Sequence, residues 1–274
     1  MGILNATPDS FSGDGLWREE AKETAVARAV AQAQQFAAAG ADILDIGGES
    51  TRPGSQPVAP EEELARILPL IRALRPAVNV TISVDTYRAV VAEAALAAGA
   101  DWINDVWGLR MDPDMAPLLA QAGCPVVIMH NRSQPKDVAQ AERLGGRYVG
   151  VQYTDLILDV INELAESIAI AHAAGVQDRQ IIIDPGIGFG KTVEQNLQLL
   201  RQLDQFKQMG FPLLIGPSRK SFIGYTLDLP PDQRLEGTAA AVAIGIDRGA
   251  DIVRVHDVQA MARVARMTDR IVRN

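Results

Sequence analysis

The sequence is poor in the side chains that most often announce a site. Its 274 residues include one cysteine, three histidines and 5% aromatics. A lone thiol, Cys124 between Gly123 and Pro125, cannot form an intramolecular disulfide and fits a reducing compartment. It stands where a strand would begin, so it reads as a buried structural thiol and not as a nucleophile. No stretch of about 18 apolar residues occurs, so no membrane span is expected. The first residues lack a basic segment followed by an apolar run, so no signal peptide is expected, and the expected setting is cytoplasmic, or an organelle interior after processing of a precursor. Acids outnumber bases by 34 to 26, and the formal net charge of −8 argues against nucleic acid as a partner. Any anionic ligand would need a local cluster of cations.

What the chain does have is aliphatic bulk, with 47% hydrophobic residues. Leu, Ile and Val over Ala-rich helices suit parallel strands buried on both faces. Short apolar runs at Gly2–Asn5, Ile43–Ile46, Thr81–Val84, Trp102–Asn104, Val126–Met129, Ile181–Asp184, Leu213–Ile215 and Ile252–Val255 read as strands. Between them lie helical stretches near 19–38, 61–74, 87–98, 112–122, 152–174, 194–209 and 234–248, and a last one near 258–272. Parallel strands need right-handed helical crossovers, which leaves few topologies. Eight regular repeats favour an α/β fold closed as a (β/α)₈ TIM barrel, one domain over 1–274, over an open doubly wound sheet.

The two ends of the strands differ. Gly-Ala-Asp recurs at 40–42, 99–101 and 249–251, each time after a helix and before a strand. A glycine just past a helix end closes its last turn, so this face is short and structural. The other ends run into Asn5, Gly47-Gly48-Glu49, Asp85, Asn104-Asp105, His130-Asn131, Asp184, Ser218-Arg219-Lys220 and Arg254-Val255-His256. A few polar residues there would serve as helix caps. Eight convergent ones mark the face where barrel enzymes keep their sites. Residues 6–18 and 48–60 read as lid loops, and 131–151 as an exposed excursion.

Thr51, Arg52, Arg219, Arg254 and His256, with Lys191 and Lys220 close in sequence, suit phosphate or diphosphate. Asp85, Asn104 and Asp184 form a second set, suited to a flat heterocycle bearing N–H donors. His130 and His256 lack a third zinc ligand at familiar spacing. Mg²⁺ riding on a diphosphate needs only one or two protein oxygens, and Asn5 offers one. The Gly-rich Asp184-Pro-Gly-Ile-Gly-Phe-Gly-Lys191 lacks the spacing of a nucleotide P-loop.

These elements carry a family resemblance. Met1-Gly-Ile-Leu-Asn-Ala-Thr-Pro-Asp-Ser-Phe-Ser12, Asp45-Ile-Gly-Gly-Glu-Ser-Thr-Arg-Pro-Gly54, Ser83-Val-Asp-Thr86, Asn104-Asp105, Asp184 to Lys191, Ser218-Arg-Lys-Ser221 and Arg254-Val-His-Asp257 resemble, in order, the signatures of the dihydropteroate synthases, pterin-binding enzymes. Ser-Thr-Arg-Pro-Gly and Ser-Arg-Lys-Ser set them apart from the related methyltetrahydrofolate:corrinoid methyltransferases. The first loop departs from the family pattern at Ser12-Gly-Asp-Gly, as does Asn131-Arg-Ser-Gln-Pro135 after His130, and relatives usually carry a segment before the first strand.

The resemblance implies a condensation of 6-hydroxymethyl-7,8-dihydropterin diphosphate with para-aminobenzoate to 7,8-dihydropteroate and pyrophosphate, by an SN1-like route. Alternatives are the methyltransferase and a catalytically inactive pterin-binding barrel. By the same resemblance, Asp85, Asn104, Met129, Asp184 and Lys220 hold the pterin. Asn5, Thr51, Arg254 and His256 hold the diphosphate, with Asn5 toward Mg²⁺. Phe11, Arg52, Pro53, Phe189 and Ser221 line the para-aminobenzoate pocket, and Asp85, Asp184, Lys220, Arg254 and His256 are the residues on which the reaction turns. A homodimer through the last helices is implied as well.

Overall fold

In the computed structural model, residues 1–6, 22–50, 55, 57–149 and 151–273 are described. The apolar runs form eight parallel strands: β1 (Gly2–Asn5), β2 (Ile43–Gly47), β3 (Thr81–Asp85), β4 (Trp102–Asp105), β5 (Val126–Met129), β6 (Ile181–Asp184), β7 (Leu214–Ile215) and β8 (Ile252–Val253). The first six pair in chain order, and β8 pairs with β7. Bridges between Ile183 and Leu213 and between Gly2 and Val255 join the two sheets on both sides. Ile183 N donates to Pro212 O at 2.9 Å and Ile3 N to Val255 O at 3.1 Å, so the ring closes. Closure, and not an open sheet, is the outcome.

Around it lie α1 (Lys22–Ala38), α2 (Pro60–Leu74), α3 (Ala89–Ala97), α4 (Met115–Ala122), α5 (Leu156–Ala174), α6 (Val193–Arg201), α7 (Asp204–Lys207), α8 (Ser221–Leu227), α9 (Leu235–Asp247) and α10 (Val258–Val272). Outward residues of the strands, among them Leu4, Leu44, Ile46, Ile82, Val84, Ile103, Ile128 and Ile183, form one core with the helices. Inward residues divide into two layers. Met1, Ile43, Val127, Ile182 and Leu214 make an apolar plug, flanked by Trp102 and Ile252. Two residues further along their strands, the same alternation brings Asp45, Asn104, Met129, Asp184 and Arg254 inward. Polar chemistry begins one layer above the plug.

At the bottom face, Gly40, Gly99 and Gly249 take φ of 98°, 112° and 102°, the left-handed region that ends a helix without steric cost. The aspartate of the Gly-Ala-Asp repeat has its own task. Asp101 Oδ2 accepts from Ile82 N at 2.8 Å, and Asp251 Oδ2 accepts from Leu213 N at 2.8 Å, so each acid satisfies a backbone donor at the start of a neighbouring strand. Cys124 sits at this end and is half-buried, not fully buried as expected. Its surroundings still push the thiol pKa up through burial, which keeps it inert.

Three differences from the sequence reading bear on the site. The helical stretch near 194–209 breaks into α6 and α7. Helix α8 was not anticipated; it has seven residues and stops at Asp228, whose φ is 58°. The segment 131–151 is not a free excursion. It carries a small antiparallel hairpin, Val138–Ala139 with Arg147–Tyr148. Tyr225 Oη donates to Gly145 O at 3.1 Å and Arg234 Nη2 to Leu144 O at 2.9 Å, which pins it beside α8.

Candidate functional site

The site is the polar layer of the barrel and the loops above it. Arg254 follows β8 and reaches across the axis. Its Nε donates to Asp45 Oδ2 at 2.6 Å and its Nη2 to Asp85 Oδ2 at 3.0 Å. Asn104 Nδ2 donates to the same Asp45 oxygen at 3.2 Å. Burial works against the Arg254 charge, but Asp45 and Asp85 outweigh it and hold its pKa above the ordinary value. Asp85 is displaced upward by burial and by the neighbouring acids Asp45, Glu63 and Asp105, against the pull of Arg254. Too many carboxylates share one guanidinium.

Lys220 supplies the second cation. It is half-buried, and its ammonium donates to Ile187 O and lies 4.3 Å from the centre of the Phe189 ring. Burial brings its pKa down to about 7, with Asp184 opposing and Arg254 reinforcing the fall. Asp184, buried at the end of β6, accepts from Gly186 N through Oδ1 at 2.7 Å. Burial raises its pKa while Lys220 lowers it. Gly188 has to be glycine: its φ is 83°, and a Cβ there would stand 2.6 Å from Lys220 Cδ.

A charged network fixes this Gly-rich loop from behind. Lys191 is 2% exposed, and its Nζ lies 2.9 Å from His130 Nδ1, 3.0 Å from Gly186 O and 3.0 Å from Phe189 O. His130 Nε2 is 3.1 Å from Glu163 Oε2, and Arg132 Nε donates to Glu163 Oε1 at 2.7 Å. With Lys191 donating to Nδ1, His130 carries its proton on Nε2. Burial and then Lys191 bring the His130 pKa down to about 3, so the ring is neutral at physiological pH. Against burial, hydrogen bonds from His130 and Arg132 hold Glu163 well below the usual carboxylate range.

One cavity runs over this layer, lined by Asn5, Gly47, Glu49, Asp85, Leu144 to Gly146, Gly188, Phe189, Ser218 to Ser221, Arg234, Arg254 and His256, among others. Of the residues singled out in the sequence, Asn5, Asp85, Phe189, Lys220, Ser221, Arg254 and His256 thus share one wall. Asn104, Met129 and Asp184 are buried beneath it on adjacent strands, Asp85 beside Asn104 and Met129 beside Asp184. Phe11, Thr51, Arg52 and Pro53 lie outside the described residues, as does most of the two lid loops. His256 meets Ser218 Oγ through Nδ1 at 3.0 Å and through its backbone N at 3.1 Å.

Several expectations need correction. Lys191 is not a cation for an anionic ligand, because it is spent on the loop beneath the cavity. Arg219 lines the cavity, yet its guanidinium makes a two-pronged pair with Asp257 at 2.9 and 2.6 Å. His130 turns to α5, and Asp105 accepts from Trp107 N and Leu109 N at 2.8 and 3.0 Å, capping its own loop. Two residues escaped the sequence reading. Arg234, 2% exposed, ties together Leu144 O, Arg219 O and Leu229 O. Asp45 is fully buried, and its signal was legible: an acid in the middle of an otherwise apolar strand, ILDIG.

Comparison with known proteins gives a consistent result. The pterin binding enzyme family matches residues 1–256. A dihydropteroate synthase of Clostridium beijerinckii is 47% identical over 274 residues, covering 100% of this chain and 94% of that protein. One from Bacillus subtilis is 47% identical over 269 residues, covering 98% and 87%. Among solved structures, a Clostridium difficile dihydropteroate synthase crystallised in the presence of pteroic acid superposes with a TM-score of 0.88 at 44% identity, covering 100% of this chain and 96% of that one. The Xanthomonas albilineans enzyme with 4-aminobenzoic acid gives 0.85 at 41%, covering 98% and 91%.

Proposed function

This chain belongs to the pterin binding enzyme family, among its dihydropteroate synthases, and we propose on that footing that it joins 6-hydroxymethyl-7,8-dihydropterin diphosphate to para-aminobenzoate, releasing pyrophosphate. The observation that carries the reading is that acids and bases share one polar layer at the mouth of the barrel: Asp45 and Asp85 flank Arg254, and Lys220 stands by Asp184. A heterocycle that gains positive charge as it loses an anion needs both at once.

In this reading the pterin lies over Asn104, Met129 and Asp184, with Asp184 and Asp85 accepting from ring and amino N–H groups and Lys220 donating to the ring's acceptor. The C–O bond to the diphosphate breaks and its electron pair leaves with the anion. Asn5, Thr51, Arg254 and His256 receive that anion, through paired donors in the case of Arg254. Positive charge left on the pterin methylene faces Asp85 and Asp184, whose ionised forms it stabilises. The arylamine nitrogen then attacks the methylene carbon and gives its proton to water. Neither a protein nucleophile nor a strong general base is called for. Phe189 and Ser221 of this chain, with Phe11, Arg52 and Pro53, would seat the arylamine.

The donor set also fits Mg²⁺. Among the described residues no group of three His, Cys, Asp or Glu could hold a metal alone. Asn5 on the cavity wall offers one neutral oxygen, which suffices for an ion that arrives with a diphosphate. Bound there, Mg²⁺ would neutralise charge on the leaving group. Met267 and Ile271, 64% and 67% exposed one turn apart on α10, and Ile244, 49% exposed on α9, support a homodimer through these helices. No helix among the described residues is long and apolar enough to cross a membrane, and the single cysteine supports a cytoplasmic setting.

Pyrophosphate release tests the reading. Sustained turnover is expected only when pterin diphosphate and para-aminobenzoate are both present, with one equivalent of 7,8-dihydropteroate formed per pyrophosphate released. Release that is stoichiometric with no coupled product would refute the synthase.

A further inference from the structure

Arg254 has two carboxylate partners, and they are not equivalent. Asp85 stands at the rim, on the cavity wall. Asp45 sits two residues earlier on β2 than the strand's end, is 0% exposed, and lies outside that wall. Its Oδ2 takes both Arg254 Nε, at 2.6 Å, and Asn104 Nδ2, at 3.2 Å. Its Oδ1 has no hydrogen-bond partner among the described residues, and neither has Ser83 Oγ on the facing position of β3. A buried carboxylate with one unpaired oxygen destabilises the fold, so its place here has to be explained by what it holds.

We propose that Asp45 is a positioning residue: it fixes Arg254 and Asn104 from below, so that Asp85 can turn from Arg254 to the pterin without releasing the guanidinium that receives the diphosphate. Asp45 touches no substrate. It hydrogen-bonds one residue of each half of the site, which no other acid of the polar layer does among the described residues. This rests on the function proposed above.

Simple electrostatics and positioning predict opposite signs for one measurement. Removing a negative charge beside an anion site tightens anion binding by Coulomb's law alone. Removing the support of Arg254 weakens it. In Asp45→Asn the amide oxygen can still accept from both donors, but the charge that holds the guanidinium is gone and both bonds weaken from charge-assisted to ordinary ones. Titration with pyrophosphate in the presence of Mg²⁺ should therefore give a Kd at least about ten-fold weaker than that of the unaltered protein, about 1.4 kcal/mol. Steady-state rates should show KM for the pterin diphosphate raised and KM for para-aminobenzoate unchanged; a general loosening of the barrel would move both.

Equal or tighter pyrophosphate binding in Asp45→Asn would overturn the inference alone. Failure of the unaltered protein to bind pyrophosphate would overturn the site reading beneath it. Should Asp45→Asn lose its far-UV circular dichroism, Asp45→Glu is titrated instead. It keeps the charge and displaces it by a methylene, and weakened binding is expected again. If neither variant folds, Asp45 is a residue of stability and the proposal is wrong.

Discussion

Replacing Lys191 by methionine should expose how much the hidden network contributes. The side chain is 2% exposed, and its ammonium serves His130 Nδ1, Gly186 O and Phe189 O at 2.9 to 3.0 Å. Lys191→Met keeps roughly the length and removes every donor. Gly186 O still accepts from Phe189 N at 3.1 Å, so two acceptors, His130 Nδ1 and Phe189 O, are left unpaired, each at a cost of about 1–3 kcal/mol. Part of that is offset, because an ammonium no longer has to be taken out of water, which costs several kcal/mol. A net loss of about 1–3 kcal/mol follows, roughly 2–12 °C in Tm for a chain of this size. Urea unfolding followed by far-UV circular dichroism measures it.

The pH dependence adds a signature that packing alone cannot imitate. Burial holds the Lys191 pKa well below that of an ordinary lysine. Between its folded and unfolded pKa the unfolded chain therefore binds more protons, so this group makes stability rise with pH. Lys191→Met lacks the effect. The stability gap between the two proteins should widen from pH 7 toward pH 10. A loss under about 1 kcal/mol at pH 7 would refute the unpaired-acceptor reasoning, and a gap independent of pH would refute the buried charge.

Lys220 has a pKa brought down to about 7. In the unliganded protein its charge is lost as pH rises through that value, so kcat/KM for the pterin diphosphate should fall above pH 7. Lys220→Met should lower kcat/KM by about 100-fold or more, consistent with loss of a charged hydrogen bond, and should abolish that alkaline limb while the circular dichroism stays that of the parent. A retained limb would assign it to another group. Gly186→Ala is expected to be one of the most damaging single changes. The residue has φ of 72°, and a Cβ there would stand 1.9 Å from His130 O. Thermal melting should show a loss of more than about 3 kcal/mol, and a melting curve like the parent's would mean that the loop takes another path.

The fold was legible because its signals are local and repeated. Gly-Ala-Asp fixed three helix-to-strand turns, and the structure adds that Asp101 and Asp251 also satisfy strand donors, which spacing alone does not reveal. The ends of the strands could be read because a polar residue that ends a buried apolar run is conspicuous. Direction was not legible. Lys191 and Lys220 both lie in the loop that follows a strand, yet one points behind its loop and the other into the cavity, and no periodicity distinguishes them. Asp105 ends a strand as Asp85 and Asp184 do, and His130 follows one, yet they turn away to cap a loop or meet α5. Helix α8 was missed because seven residues after a positive-φ Arg219 offer too little pattern to register. Arg234 was missed because its partners, Leu229 O, Arg219 O and the distant Leu144 O, are backbone groups that carry no side-chain signature in the sequence.

The layered interior explains why the rim can tolerate so much mismatched charge. Below, Met1, Ile43, Val127, Ile182 and Leu214 plug the barrel, and each aliphatic side chain so buried contributes about 1.5–3 kcal/mol. Above, Asp45, Asp85 and Asp184 face Arg254 and Lys220, three acids to two bases, and burial drives Asp85 and Asp184 up and Lys220 down. Every one of those displacements is a preference for the neutral form over the charged one, and hence a cost stored at the site. On the proposed reaction, positive charge arrives beside the acids at the moment an anion arrives beside the bases. Both costs are relieved together in the transition state and not in the empty barrel, which is the differential stabilisation that lowers a barrier.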